Sequence, residues 1–459
     1  MSTLKVNTIT TRSGCTMTLG ESGKTVTLAS GASQSGFGRT GTVDWQTSIK
    51  TGNFTAANGE GYFVDTSSGA VTVTLPAGST GAIVAVKDYA QSFDSNACTI
   101  AADGSEKIEG LTTDLILDTE SIATTLVYGD ATKGWQAVNS NEVKNTVKYV
   151  AATGGNTTAT CGDFKIHTFT SPGNFVVSCA GSSAGSNTVE YIVVAGGAGG
   201  STGGGGAGGF RFASPSLAPA TYPAKPLAAP AALPVSAQSY PIAIGAGGAD
   251  GSPTGANPGS SGGVSTFSTI TSAGGGGGSK SGSPQNGVAG GSGGGAGSDG
   301  NGSTGGAGNT PSVSPAQGKD GGDAPSSCHQ AGGGGGGALA CGANGTRNPS
   351  PGGGGGVGGN GGVGGGFPNA FGTSGQNCGS LYYFAGGGAG GSNVHSGCGS
   401  PGGRGSGGLG GGGQGGQTNG QVGCNGTANT GGGGGGSEYD AGSAGNGGSG
   451  IVIIRYKFQ

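Results

Sequence analysis

Apolar residues in this chain come in short alternations and short runs, not at the 3.6-residue spacing of an amphipathic helix. Thr16, Met17, Thr18 and Leu19, and then Thr25, Val26, Thr27 and Leu28, alternate polar and apolar positions around a Gly/Ser-containing turn. Such alternation marks half-buried strands. Two short strands are marginal in water, whereas three identical chains wrapped about one axis would bury their apolar faces. Residues 1–43 are therefore expected to form the attachment and shaft segment of a homotrimer. Residues 44–140 read as a small β domain, with strands at 71–76, 81–88, 98–100 and 123–128. Trp45 and Trp135 lie at its edges and are expected to be core or interface plugs. A connector with β-strands follows over 141–188, with one possible helical turn near 141–147.

The last region, 189–459, has four β candidates: 189–194, 240–244, 264–270 and 451–456. The first three run into glycine and the fourth emerges from it. The first and last bracket the glycine-rich part, so they are expected to pair in one sheet and form a base from which glycine segments project and return.

Of the 117 glycines, 94 lie in the last 269 residues. At 355–366 they fall in triplets with Val357, Asn360 and Val363 as spacers. Such a chain cannot build a side-chain core, and glycine loses more conformational freedom on ordering than any other residue. Polyproline-II geometry, with three residues per turn and no internal hydrogen bonds, points each N–H and C=O outward. Side-chain-free helices can then approach closely and bond to one another, which satisfies their backbone groups. The three spacers fall on one edge of such a helix and leave two glycine faces for neighbours. The expected fold class is thus all-β and fibrous: a trimeric β shaft segment, a small β domain and a C-terminal β/polyglycine-II helix bundle.

Charge adds little. Charged residues make up 9% of the chain and the net charge is −3, so no basic field points to nucleic acid or an anionic membrane surface. No apolar stretch approaches the roughly 18 residues of a membrane span, so no membrane insertion is expected. The beginning lacks the apolar core of a signal peptide, which fits synthesis in a cytoplasm. The nine cysteines include no CxxC pair and are read as free thiols. Cys328, His329, Cys341, His395 and Cys398 lack the spacing of a structural zinc site. No metal and no cofactor are expected.

Between the glycine runs the composition changes abruptly, and loops on a rigid scaffold are the usual recognition surface. Aromatic and polar loop residues give contact area at low entropy cost. On that ground the receptor-binding candidates are Phe210, Phe212, Tyr222, Arg347, Phe367, Asn369, Phe371, Asn377, Tyr382, Tyr383 and His395.

Several stretches carry a resemblance. The strand at 191–197, the segment 240–248 and the closing 448–456 resemble the glycine-rich domains of bacteriophage tail fibres. Leu4, Lys5, Val6, Asn7, Thr8 and Ile9, the Thr-Val-Thr-Leu repeat and the run 36–41 look like fibre proteins of marine phages that infect cyanobacteria or related hosts. The bundle is similar to the tip adhesins of T-even-like phages. The resemblance implies a virion tail fibre, made in the host cytoplasm, that meets tail or adaptor proteins through its N-terminus. Loops of its C-terminal domain would bind a host outer-surface receptor, a polysaccharide or an outer-membrane protein. Receptor-loop residues do not transfer position by position, and no His-X-His triplets are present to carry over the iron sites of some long fibres.

Two rivals are weaker. A polysaccharide-degrading tailspike needs two carboxylates at a fixed separation. The acids of the glycine region are Asp250, Asp299, Asp320, Asp323, Glu438 and Asp440, with Asp320 and Asp323 read as lying in a Gly-Gly loop. The helical stack of strands typical of tailspikes is not evident either. An ice-binding polyglycine protein needs a flat repetitive face, while these loops are long, irregular and aromatic. The expected function is a non-enzymatic adhesin.

Overall fold

In a computed structural model the strands and glycine runs form two compact units, Met1–Val143 and Lys144–Gln459. The described residues are 43–138, 149–182, 185–217, 220–252, 257–282, 285–297, 302–325, 331–347, 355–392, 403–417, 420–438 and 443–459. The expected shaft segment and the turn near 141–147 lie outside them. The described residues are all-β, with only three 3-10 turns besides strands and glycine segments.

In the first unit the chain alternates between two sheets. β1 (Asp44–Lys50), β3 (Glu60–Val64) and β5 (Ile83–Asp88) pair in parallel in one sheet. β2 (Phe54–Thr55), β4 (Val71–Thr74) and β6 (Cys98–Ala101) pair in parallel in the other. Each successive pair is one coil of a short parallel stack, so the expectation that no helical stack of strands is present is corrected over 44–101. The strands alternate, as in the Val-Thr-Val-Thr of β4, because one face of each sheet meets the core and the other does not. Three antiparallel strands close the stack: β7 (Leu115–Leu117) on β6, β8 (Ala123–Asp130) on β5, and β9 (Gly134–Ala137) on β8. Val64, Val73, Leu75, Val84, Val86, Phe93, Ile100, Leu126 and Trp135 are fully buried between the sheets. The two tryptophans differ: Trp135 sits in this core, whereas Trp45 is 41% exposed.

The second unit has a two-sheet base. β10 (Val150–Thr153), β13 (Gly173–Ala180), β17 (Ser239–Ala243), β18 (Ser265–Phe267) and β19 (Ile270–Ser272) form one sheet. β11 (Thr157–Cys161), β12 (Phe164–Phe169), β25 (Ile451–Lys457), β14 (Thr188–Val194) and β15 (Phe210–Ala213) lie in that order in the other, with β16 (Leu233–Pro234) on β14. Strands within 150–180, read from sequence as a connector, thus pair with strands of the glycine-rich part. The expected pairing of first and last strands is present: β14 and β25 run antiparallel from Glu190↔Arg455 to Val194↔Ile451. Both are apolar almost throughout because both faces are covered. Phe175, Val193, Phe267, Val452 and Ile454 fill the space between the sheets, and Ile192, Val194, Ile451 and Ile453 face an aromatic cluster on the other side. The stretch 264–270, expected as one strand, is a hairpin that turns at Ser268, whose φ is 52°.

Above the base, glycine segments bond to one another through backbone alone. In 196–201 the N–H groups of Gly196 and Gly199 reach Gly263 and Ser260, those of Gly197 and Gly200 reach Gly448 and Gly445, and those of Ala198 and Ser201 reach Gly206 and Gly203. Residues three apart therefore share a neighbour, as a three-residue turn requires. Segment 202–209 lies at the centre. Gly203 and Gly206 donate to 276–279, Gly204 and Ala207 to 333–336, and Gly205 and Gly208 to 431–434. Its carbonyls accept from 195–201, from Ser292 and Gly295, and from Gly388 and Gly391. Six neighbours surround it, and all of 201–210 is buried. A methyl built on Gly204 would stand 2.2 Å from the carbonyl oxygen of Gly388, so the lattice excludes a side chain there.

At the rim one N–H in three has no helix to meet, and Asn and Asp spacers reach some of these. Asn360 Oδ1 accepts from Ser406 N at 2.8 Å, Asn344 Oδ1 from Asp323 N at 2.8 Å, and Asn446 Oδ1 from Asp250 N at 2.9 Å. Asp320 and Asp323 accept from Gly308 N and Gly305 N at 2.7 and 2.9 Å. These two acids therefore sit three apart on a bundle segment, not in the loop expected from sequence. Val363 and Asn360 are exposed on the outer edge, where the triplet spacing puts them.

Gly204→Ala is expected to destabilise the second unit by about 3 kcal/mol or more, because packed backbone must move to admit the methyl. Among the described residues, a methyl added at Gly403 meets only the Val357 side chain, at 3.5 Å from Cγ1 and 4.0 Å from Cγ2, so Gly403→Ala is expected to be neutral or stabilising by about 0.5 kcal/mol. Thermal unfolding of the two variants beside the parent checks both values.

Candidate functional site

Successive glycine segments run up and down, so the bundle has a sheet end and a far end. The residues that close the runs differ between them. At the sheet end they are apolar: Ile244, Phe210, Leu339, Phe367, Leu409 and Ile451 adjoin the segments. At the far end they are Ser201, Thr202, Ser279, Ser392 and Ser437, all buried. These hydroxyl residues share one level: Thr202 N donates to Ser279 O, Gly391 N to Thr202 O, Ser437 N to Ser201 O, and Ser392 N to Gly416 O. The chain reverses there at 201–203, and the pairs of described residues Ser252/Asn257, Gly297/Gly302, Pro325/Ala331, Ser392/Gly403 and Glu438/Ser443 are further ends of antiparallel segments at this level.

Most of the expected receptor residues belong to the other end. Phe210, Phe212, Phe367 and Phe371 are at most 1% exposed and pack ring on ring, with Phe212 and Phe367 edge to face at 4.8 Å. Tyr222 is half-buried against Phe367 at 5.6 Å. Tyr383 is buried and Tyr382 half-buried in β24 (Leu381–Phe384), which pairs with β22 (Gly365–Phe367) and β23 (Gln376–Cys378). The reading of 210–213 and 367–384 as exposed aromatic loops is corrected: both fold onto the base sheet because its outer face, Ile192, Val194, Ile451 and Ile453, needs an apolar cover. Asn369 and Asn377 are exposed, yet they too lie at the sheet end. The backbone of Arg347 lies at the far end in β20 (Thr346–Arg347), paired with β21 (Gly356–Val357). His395 lies outside the described residues.

The far end carries an unsatisfied group of hydroxyls that aromatic content did not reveal. Ser201 Oγ, Thr202 Oγ1 and Ser392 Oγ are buried without hydrogen-bond partners. Their neighbour Ser279 donates to Gln285 O and accepts from Gly297 N, each at 2.6 Å. Glu438 accepts from Gly420 N at 2.7 Å. Buried hydroxyls of this kind ordinarily hold ordered water or a ligand group. Part of this signal was present in the sequence: runs at the far end close on Ser or Thr, although Ser292 and Thr430 also adjoin runs near the sheet end.

The base holds the titratable chemistry of this unit. Arg455 Nη1 donates to Glu190 Oε2 at 2.6 Å and to Ser216 Oγ at 2.9 Å, while its guanidinium lies 3.6 Å from the Phe164 ring centroid. Ser216 N donates to Glu190 Oε1 at 2.7 Å. Burial pushes the Arg455 pKa down, and Glu190 opposes that shift. His167, fully buried, donates from Nδ1 to Gly154 O at 2.7 Å and meets Tyr456 Oη through Nε2 at 3.1 Å. Tyr456 Oη also bonds Ala152, so this network ties β10 and β12 to the closing strand. These groups read as fastenings of the base.

Of the carboxylates read as possible catalysts, Asp250 accepts from Ala444 N at 3.2 Å, and Asp320, Asp323 and Glu438 also accept backbone N–H bonds. Asp299 and Asp440 lie outside the described residues. Of the zinc candidates Cys341 is exposed and free, and Cys328, His329, His395 and Cys398 lie outside the described residues.

Residues 170–457 match the family model of the glycine-rich domain. The chain belongs to the glycine-rich domain family. The matched span takes in β13 through β25 with the whole bundle, so base sheet and glycine lattice form one family unit, to which β10–β12 add from outside. No curated protein matches the chain.

Burial lowers the pKa of His167, with Lys165 adding to that shift and the bond to Gly154 opposing it. Protonation therefore favours the unfolded chain. Stability of the glycine-rich unit is expected to be intact above pH 6.5 and to fall as pH drops below it, by at most about 1.4 kcal/mol per pH unit from this residue. Denaturant unfolding between pH 7.5 and 5 checks this, and a His167→Gln variant should lose that part of the slope.

Proposed function

We propose that this glycine-rich protein is a non-enzymatic virion tail fibre or adhesin, with its N-terminal segment on the tail and the far end of the bundle on the host cell surface. The observation that carries the reading is the separation of the two ends. The second unit starts in the base sheet, and its segments turn back at the opposite end, where runs close on hydroxyl residues instead of apolar ones. A scaffold held by backbone bonds can carry connections of many sequences at that end without repacking a core. The resemblance of 4–41 and of the glycine-rich part to phage fibre proteins supports the same assignment.

In this reading the chain acts as a homotrimer, is made in the host cytoplasm and ends in the virion. Its partners are tail or adaptor proteins and an outer-surface polysaccharide or protein. The contact residues shift from the aromatic set to the far end, where the backbone of Arg347 lies; Asn369, Asn377 and Tyr382 lie at the sheet end and His395 lies outside the described residues.

Exchange of the connections 392–403 and 346–356 for those of a related fibre is expected to change adsorption to the host at least tenfold, with the melting temperature of the protein preserved. Exchange of the exposed sheet-end positions Asn369 and Asn377 should leave adsorption unchanged. Adsorption that survives replacement of every far-end connection would sink the proposal.

A further inference from the structure

The outer face of the base sheet carries a cavity beyond its aromatic cover. Phe164 pairs with Lys457 across β12 and β25, and Glu190 with Arg455 across β14 and β25. Residues two apart on a strand share a face. Thr188 therefore joins Glu190, and Lys457 joins Arg455, on the face that holds Ile192 and Ile453. At this end of the three strands, Pro215 and Ser216 of a 3-10 turn (Pro215–Leu217) and Ala232 complete the lining of a cavity of about 210 Å³. Pro215 and Ser216 are exposed, so the cavity opens to solvent.

Its free polar groups are donors. The Glu190 carboxylate is already engaged, by Ser216 N at Oε1 and by Arg455 Nη1 at Oε2, and Arg455 neutralises its charge. Lys457 adds a cation that has no carboxylate partner among the described residues; its Nζ lies 5.7 Å from the Tyr149 ring centroid. Ser216 Oγ accepts from Arg455 Nη1, which leaves its own proton to donate. The Thr188 hydroxyl has no partner among the described residues. Beside this wall Arg455 Nε is buried without a hydrogen-bond partner, so the surroundings are short of acceptors and not of donors. One net positive charge with several donors calls for a carboxylate, whose hydrogen bonds to charged donors are the strong ones. The rest of the lining, Phe164, Pro215 and Ala232, is apolar, and the negative face of an aromatic ring suits weakly positive C–H groups. The volume is below the roughly 300–1,000 Å³ of pockets for drug-sized ligands, which leaves room for one ring.

We infer that this cavity binds a single carboxylated sugar ring, a hexuronate. Its carboxylate pairs with Lys457, its hydroxyls meet Thr188 and Ser216, and its C–H edge lies on the apolar wall. The cavity belongs to the base, away from the connections of the far end, so the inference stands whether or not those connections contact a host.

Isothermal titration of the full chain with sodium glucuronate, glucose and sodium acetate at one ionic strength tests this. Glucuronate is expected to bind at millimolar concentration, at least tenfold tighter than either glucose or acetate. Lys457→Met keeps the apolar stem and removes the charge; it should weaken glucuronate at least tenfold with the melting temperature preserved. Ala232→Leu fills the cavity without touching a charge and should abolish binding. Glucuronate that binds no better than glucose overturns the carboxylate assignment, and acetate that binds as well as glucuronate overturns the sugar. Binding that survives both Lys457→Met and Ala232→Leu overturns the location.

Discussion

The second unit depends on a hydrogen bond between backbones with nothing between them. In an ordinary domain the core is made of side chains and the backbone bonds are local to a sheet or helix. Here the interior segment 202–209 has almost no side chains, and its cohesion comes from N–H groups that fan out in three directions and carbonyls that fan out in three more. Each such bond contributes little net free energy on its own. Their collective effect rests on leaving no buried backbone group unpaired, and that requires close approach, which a single methyl at Gly204 would prevent. Glycine content is therefore a packing requirement rather than a sign of disorder.

The lattice has no stickiness of its own at its ends, and the base supplies the boundary. β14 and β25 clamp the first and last glycine segments in adjacent strands. One face of their sheet is covered by the second base sheet and the other by the phenylalanines of 210–212 and 367–384. The buried Arg455–Glu190 pair and the His167–Tyr456 network extend this anchoring. Burial of an ion pair is weak evidence of stabilisation in itself. Its value here is register: Glu190 and Arg455 face one another directly across the two strands, so a slip of the closing strand would strand both charges.

Much of this fold was legible in the chain. The period of three around Val357, Asn360 and Val363 announced the helix type, and the two apolar strands that bracket the glycine region announced the sheet that closes it. What was not legible was direction. Aromatic residues between glycine runs suggested a recognition surface, because loop aromatics often serve that purpose. They serve instead as the cover of a sheet whose second face had no other partner, a need that appears only once β14 and β25 are seen side by side. The roles of Asp320 and Asp323 were hidden for a related reason. Their partners, Gly308 and Gly305, belong to a neighbouring segment whose position depends on the whole lattice. In the first unit, parallel pairing was missed because alternation specifies a strand but not the direction of its neighbour.

The six-neighbour arrangement of 202–209 has a consequence for the chain as a thread. Each glycine segment is fixed by segments distant in sequence, such as 333–336 and 431–434, more than by the turns that lead into and out of it. Covalent continuity at the far end is then redundant with the lattice. A chain cut at several of those turns would remain a single object, its fragments held in place as the threads of a woven cloth are held when a few are severed.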